Sequence, residues 1–86
     1  MAWEILFRRS AKAELETLPR KTKLRVAAAI EALSLEPRPA GCIKLQGIQY
    51  WRIGVGDVRI IYSVEDGRLV VIIIRIGHPR EVYRRL

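Results

Sequence analysis

Cysteine occurs once in the 86 residues, at Cys42, so no internal disulfide can form. An exported chain this small usually needs several such cross-links to compensate for its small core. Histidine also occurs once, and one His with one Cys cannot fill a metal site without distant carboxylates. No apolar run exceeds the six residues from Leu69 to Ile74, where a membrane span needs about twenty. Met1-Ala2-Trp3-Glu4-Ile5-Leu6-Phe7 meets Arg8 and Arg9 only afterwards, which is not the basic-then-apolar order of a secretion signal. Internal repeats, low-complexity tracts, a glycine-rich phosphate loop and a serine–histidine–acid set are all missing. The expectation is a cytoplasmic chain with no membrane anchor, no metal and no small-molecule cofactor.

Acidic residues are few beside basic ones, nine Asp+Glu against sixteen Lys+Arg, for a formal charge of +7. Half of the residues are hydrophobic, which excludes a disordered basic tail, because such tails lack the apolar surface needed to fold. Arginine supplies twelve of the sixteen basic side chains, and its planar fork can pair with a phosphate at two points at once. That surface is either a compositional bias with no function attached or a face for nucleic acid or an acidic protein. The length predicts one domain over residues 1–86.

Hydrophobic periodicity predicts an α+β domain of order β-α-α-β-β-β. Residues 2–7 alternate, with Trp3, Ile5 and Phe7 on one side of a short strand. Ser10 suits a helix cap, and Ala11, Leu15 and Leu18 share the face of the helix that follows. Pro19 breaks that helix where a second begins. Val26, Ala29, Ile30 and Leu33 keep the helical spacing within residues 20–35, and Glu36-Pro37-Arg38-Pro39 ends the element. The two helices form an antiparallel hairpin. After a connector over 41–47, residues 50–55, 58–64 and 69–76 read as an antiparallel three-strand meander. Gly56-Asp57 and Asp66-Gly67 suit its turns. Leu69–Ile74, apolar throughout, should be covered on both faces, and a short basic tail follows.

Alternation carries the argument to a site. Trp51, Ile53 and Val55 share one face with Val58, Ile60, Tyr62 and Val64. Arg52 and Arg59 then emerge together on the other. Neighbouring arginines repel by fractions of a kcal/mol when solvated, and an anion between them reverses the sign. They are either two solvated charges that keep a sheet face soluble or an anion-binding pair. The tail Gly77-His78-Pro79-Arg80-Glu81-Val82-Tyr83-Arg84-Arg85-Leu86 sets a histidine and a tyrosine among arginines just after the most buried strand. On the residues alone, Tyr83 reads equally as a packing residue and His78 as a turn residue.

Trp51-Arg52-Ile53, Gly56-Asp57-Val58-Arg59-Ile60-Ile61-Tyr62 and Gly77 to Arg84, in that order after Lys44-Leu45-Gln46-Gly47, resemble the RelE toxins of bacterial and archaeal toxin–antitoxin pairs. The resemblance spans nearly the whole chain. It implies a metal-independent endoribonuclease that cuts mRNA in the ribosomal A site through the RNA's own 2′-hydroxyl, partnered by a RelB-like antitoxin. Arg59 matches the family arginine at the scissile phosphate, and Tyr83 the tyrosine that takes the 2′-hydroxyl proton. A phenol ordinarily titrates near pH 10, so this role needs arginines that favour its phenolate. Arg80 is the nearest guanidinium to the position after His78, where relatives carry arginine and this chain has Pro79. His78 suits protonation of the leaving oxygen or stacking on a base. Lys44, Arg52, Arg84 and Arg85 are assigned to RNA binding. A second family lysine falls here on Gly54.

The same fold serves ParE-type proteins, which poison DNA gyrase by binding and generally lack the nuclease residues. A third reading is an inactive member that acts only with its antitoxin at an operator. Joint retention of Arg59, Arg80 and Tyr83 favours the nuclease.

Overall fold

The computed structural model describes residues 2–84 and 86. Strand β1 (Glu4–Phe7) leads into helix α1 (Arg9–Glu16) and helix α2 (Arg20–Leu33). Strands β2 (Ile43–Lys44), β3 (Trp51–Val55), β4 (Val58–Glu65) and β5 (Val70–Gly77) follow, and a single helical turn, α3 (Pro79–Val82), comes last. Among the described residues the five strands form one sheet in the order β1-β5-β4-β3-β2. The meander β3-β4-β5 is antiparallel as expected. β1 returns beside β5 in parallel, Glu4 opposite Val70 and Phe7 opposite Ile73.

The helical hairpin covers one face of this sheet. Val26, Ile30 and Leu33 recur on one side of α2 and are buried, and with Ala11 they meet Ile60, Tyr62, Val71, Ile73 and Ile76. Each such side chain withdrawn from water contributes about 1.5–3 kcal/mol. Trp3, Ile5, Leu15, Leu18 and the inward row of β3 close the edges of this core. A smaller cluster of Ile61, Ile74 and Val82, bordered by Leu45, Tyr50, Ile72 and Leu86, lies on the opposite face. β5 is therefore covered on both sides, by the helices and by α3 with the C-terminal residues.

Several details depart from the periodicity. Ser10 lies inside the first turn of α1, whose N-cap is Arg8 with no side-chain bond. Phe7, at the end of the edge strand, stays 36% exposed instead of entering the core. Gly56-Asp57 makes the two-residue turn, with Gly56 at φ 58°. Asp66-Gly67 does not. Glu65 pairs with Val70 across a four-residue connection, a 3-10 turn over Asp66–Arg68, and the positive φ falls on Leu69 at 55°.

The segment after α2 is fastened to the sheet at two points. Tyr62, buried, donates its hydroxyl to the Pro37 carbonyl at 2.8 Å, and burial, reinforced by Cys42, pushes its phenol pKa well above the ordinary range. Arg38 forks onto Asp66 at 3.1 and 2.8 Å and lies over the Trp51 ring, 5.1 Å from its centre. No helix among the described residues is long and apolar enough to cross a membrane.

Candidate nucleic-acid interface

The sheet face opposite the helical hairpin carries the arginines. In the β3–β4 register Gly54 stands opposite Arg59, and in the β4–β5 register Arg59 stands opposite Gly77. Arg59 thus has a glycine on either side. The Gly54 side is close: a Cβ there would stand 3.0 Å from Arg59 Nη1 and 3.3 Å from its Cζ. The guanidinium lies flat across the missing side chain, and Nη1 donates to the Gly56 and Val58 carbonyls at 2.9 and 3.2 Å. With Nη1 anchored, Nε and Nη2 have no partner among the described residues. That edge is the fork that suits two phosphate oxygens.

Two residues along, Arg52 stands opposite Ile61, and Ile61 opposite Arg75. Arg52 is therefore a diagonal neighbour of Arg59, a relation that spans about 7–8 Å in antiparallel strands. One row further, Tyr50 accepts a hydrogen bond from Arg8 Nη2 at 3.1 Å. The face is open, and no enclosed cavity forms among the described residues.

α3 brings the C-terminal residues to this face. His78 is its N-cap, with Nδ1 accepting the Arg80 backbone N–H at 3.2 Å, and Pro79 supplies the first helical position. Nε2–H remains as the ring atom able to donate a hydrogen bond to a ligand. Val82, fully buried, packs on Ile61 and Ile74. Its close approach relies on Gly77, where a Cβ would stand 3.2 Å from Val82 Cγ1. Arg80 is exposed, and Tyr83, the C-cap, is 42% exposed. The short basic tail expected from sequence thus begins as a helical turn, and this turn sets His78, Arg80 and Tyr83 against β4, the strand of Arg59, and β5.

The structure does not bring Lys44 to this group. It pairs with Trp51, whose ring packs toward the helical hairpin, and its Nζ donates to the Ile48 carbonyl at 3.2 Å. Arg84 has an exposed side chain, and its backbone carbonyl accepts from Arg75 Nη1 at 2.7 Å. Arg85, also assigned to RNA, lies outside the described residues. Among the described residues no three His, Cys, Asp or Glu side chains gather around a point where a metal ion would fit.

Sequence reasoning passed over Gly77, Arg75 and Glu14. Arg75 interrupts the run of β5, Val-Val-Ile-Ile-Ile-Arg-Ile-Gly, and a charge within a buried strand demands a partner. That signal was legible, but it does not single out Glu14 from the other carboxylates.

A family model described as the ParE toxin of the type II toxin–antitoxin system, parDE, matches residues 5–83. No curated protein matches in sequence. Among solved structures, the chain is similar to a chain of the archaeal RelE–RelB complex from Pyrococcus horikoshii OT3, at 26% identity and TM-score 0.82 over 95% of this chain and 100% of that one. It is similar to a chain of the toxin–antitoxin complex RelBE2 from Mycobacterium tuberculosis, at 25% identity and TM-score 0.80 over 91% and 99%. It is similar also to a chain of the intact RelBE toxin–antitoxin complex of E. coli, at 25% identity and TM-score 0.79 over 90% and 96%.

Proposed function

From the premise that the chain belongs to the ParE toxin family of type II toxin–antitoxin systems, we propose that it acts as a RelE-type endoribonuclease on mRNA in the ribosomal A site. The observation that carries this reading is Arg59, set between Gly54 and Gly77 with one edge of its guanidinium unpartnered among the described residues, on the face that α3 approaches. A guanidinium tied back on two carbonyls keeps its remaining fork in one place, which suits a phosphate that must be met at a fixed point.

In the proposed reaction, the 2′-oxygen of the nucleotide before the cut loses its proton to the Tyr83 oxygen, which acts as the base, and attacks the adjacent phosphorus. Arg59 meets the charge that develops on the non-bridging oxygens, the kind of contact worth most in a water-poor site. The bond from phosphorus to the 5′-oxygen breaks, and that oxygen takes a proton from water while the Arg80 guanidinium meets its charge and the His78 ring stacks on a base. The products are a 2′,3′-cyclic phosphate and a 5′-hydroxyl. Arg52 and Arg84 hold the backbone on either side. RNA carries the nucleophile, so the protein's work is orientation, proton transfer and charge stabilisation.

The RelE–RelB and RelBE complexes support an antitoxin as the resident partner of this chain. Its net charge of +7 favours an acidic, partly disordered segment that folds along it.

The second reading is gyrase poisoning, favoured by the ParE family match itself. Primer-extension mapping of mRNA in a translation extract, with and without ribosomes, separates the two. Cleavage confined to ribosome-bound codons, resistant to EDTA and leaving 5′-hydroxyl ends, is the expected result. Intact mRNA together with DNA damage dependent on gyrase would replace the nuclease reading with the second.

A further inference from the structure

Arg75 makes a set of bonds that reaches from α1 to the C-terminal turn. Its Nε and Nη2 donate to Glu14 Oε2 at 3.2 and 2.9 Å, and its Nη1 donates to the Arg84 carbonyl at 2.7 Å. Glu14 Oε1 accepts the backbone N–H of Ile76 at 2.9 Å. Both carboxylate oxygens and all three guanidinium nitrogens are engaged, and the two side chains are only 23% and 27% exposed.

The fold explains why the pair sits there. β1 ends at Phe7, opposite Ile73, so the Ile76 amide lies on an open stretch of the β5 edge. α1 crosses that stretch and fills the missing place with the Glu14 carboxylate. The β4–β5 register shifts between Ile61 and Tyr62, leaving Ile74 unmatched and Arg75 opposite Ile61 on the face where Val82 packs.

We infer that Arg75, oriented by Glu14, is the positioning residue that fixes where Tyr83 stands. This rests on the reading of Tyr83 as the base. Tyr83 is 42% exposed and belongs to neither buried cluster, so packing holds it only in part. Its location depends on its backbone, held before it by buried Val82 and after it by two bonds, Arg84 N–H to the Glu81 carbonyl at 3.1 Å and Arg75 to the Arg84 carbonyl. Arg75 is the only one of these contacts made by a side chain that is itself clamped elsewhere in the fold. A shift of about 1 Å in a reacting group can cost as much as 10²-fold in rate, so the tether acts chiefly on the chemical step, with Arg52 still holding the RNA.

Arg75→Lys and Glu14→Gln, in the full chain, test this with two readouts. A lysine ammonium keeps the charge near Glu14 but cannot also span to the Arg84 carbonyl, whereas Glu14→Gln keeps an acceptor for Ile76 and removes the charge that orients Arg75. Amide hydrogen exchange at Tyr83 and Arg84 should rise about tenfold in both variants while β4 and β5 amides stay protected. On mRNA-programmed ribosomes kcat should fall about 10- to 10²-fold with KM nearly unchanged. Guanidinium ion should restore part of the rate to Arg75→Ala. Unchanged exchange at 83–84, or a loss confined to KM, overturns the inference. If the wild type leaves mRNA intact, the nuclease reading fails on its own, and the exchange arm still decides whether Arg75 tethers the turn.

Discussion

Gly54→Ala isolates the geometry of Arg59 from its charge. The new Cβ would stand 3.0 Å from Nη1, against an ordinary contact of 3.4 Å or more, so the guanidinium must retreat by 3.4 − 3.0, about 0.4 Å. The bond from Nη1 to the Val58 carbonyl, already 3.2 Å, has the least room to absorb that shift. The shorter bond to Gly56, at 2.9 Å, would weaken. For stability the two effects offset. Alanine in place of glycine inside a strand gains roughly 0.5–1 kcal/mol, and one partly exposed hydrogen bond is worth about 0.5–1.5 kcal/mol. The urea midpoint should therefore stay close to wild type. Activity should not. A guanidinium displaced by a fraction of an ångström loses its place on the phosphate, and about a tenfold fall in codon-resolved mRNA cleavage is expected. If Gly54→Ala cleaves at the wild-type rate while Arg59→Ala is inactive, the guanidinium leaves its folded-back position to act, and the argument from preorganisation is wrong.

The remaining outcomes concern the site, the core and the partner. Arg59→Ala should lower cleavage about 10²- to 10³-fold and Tyr83→Phe about 10²- to 10⁴-fold, measured at equal expression alongside growth arrest, while a gyrase poison would be nearly indifferent to the loss of the Tyr83 oxygen. Gly77→Ala presses a methyl to 3.2 Å from Val82 Cγ1 and should push Val82, and α3 with it, outward by a few tenths of an ångström, lowering cleavage more than it lowers melting temperature. Tyr62→Phe leaves the buried Pro37 carbonyl without its donor and should cost about 1–3 kcal/mol in denaturant titrations. Burial holds the folded-state pKa of Tyr62 above that of the unfolded chain, so unfolded chains ionise first and wild-type stability should decline as pH rises past about 10, a slope that Tyr62→Phe should flatten. Finally, antitoxin association should slow as salt is added, because the encounter neutralises part of the +7 charge; an association rate indifferent to salt in stopped-flow measurements contradicts that account.

Local pattern was enough for much of the architecture and for the heart of the interface. Period-two alternation in β3 and β4 put Arg52 and Arg59 on one face and Trp51, Ile60 and Tyr62 on the other, because a strand of fixed pleat has no other way to arrange them. Helical spacing found Val26, Ile30 and Leu33, and Gly56-Asp57 marked a turn that needs positive φ. The turn after β4 was misread because Glu65 pairs with Val70 and not with Arg68, which leaves four residues to close the hairpin. The placement of Lys44 away from the arginine face followed from its pairing with Trp51, a register set by the β2–β3 contact and not by its own neighbours in sequence.

The C-terminal site needed the assembled sheet. β1 pairs in parallel with a strand more than sixty residues away and stops at Phe7, and both facts depend on which edges remain open once the core has packed. The register shift at Ile74 turns Arg75 toward the face of α3, and the open β5 edge draws Glu14 to it. Alternation follows side chains along one strand only while its pairing is regular. A bulge resets the count, and a buried charge chooses its partner in space, so the link from Glu14 through Arg75 to Arg84 came into being only with the packed fold.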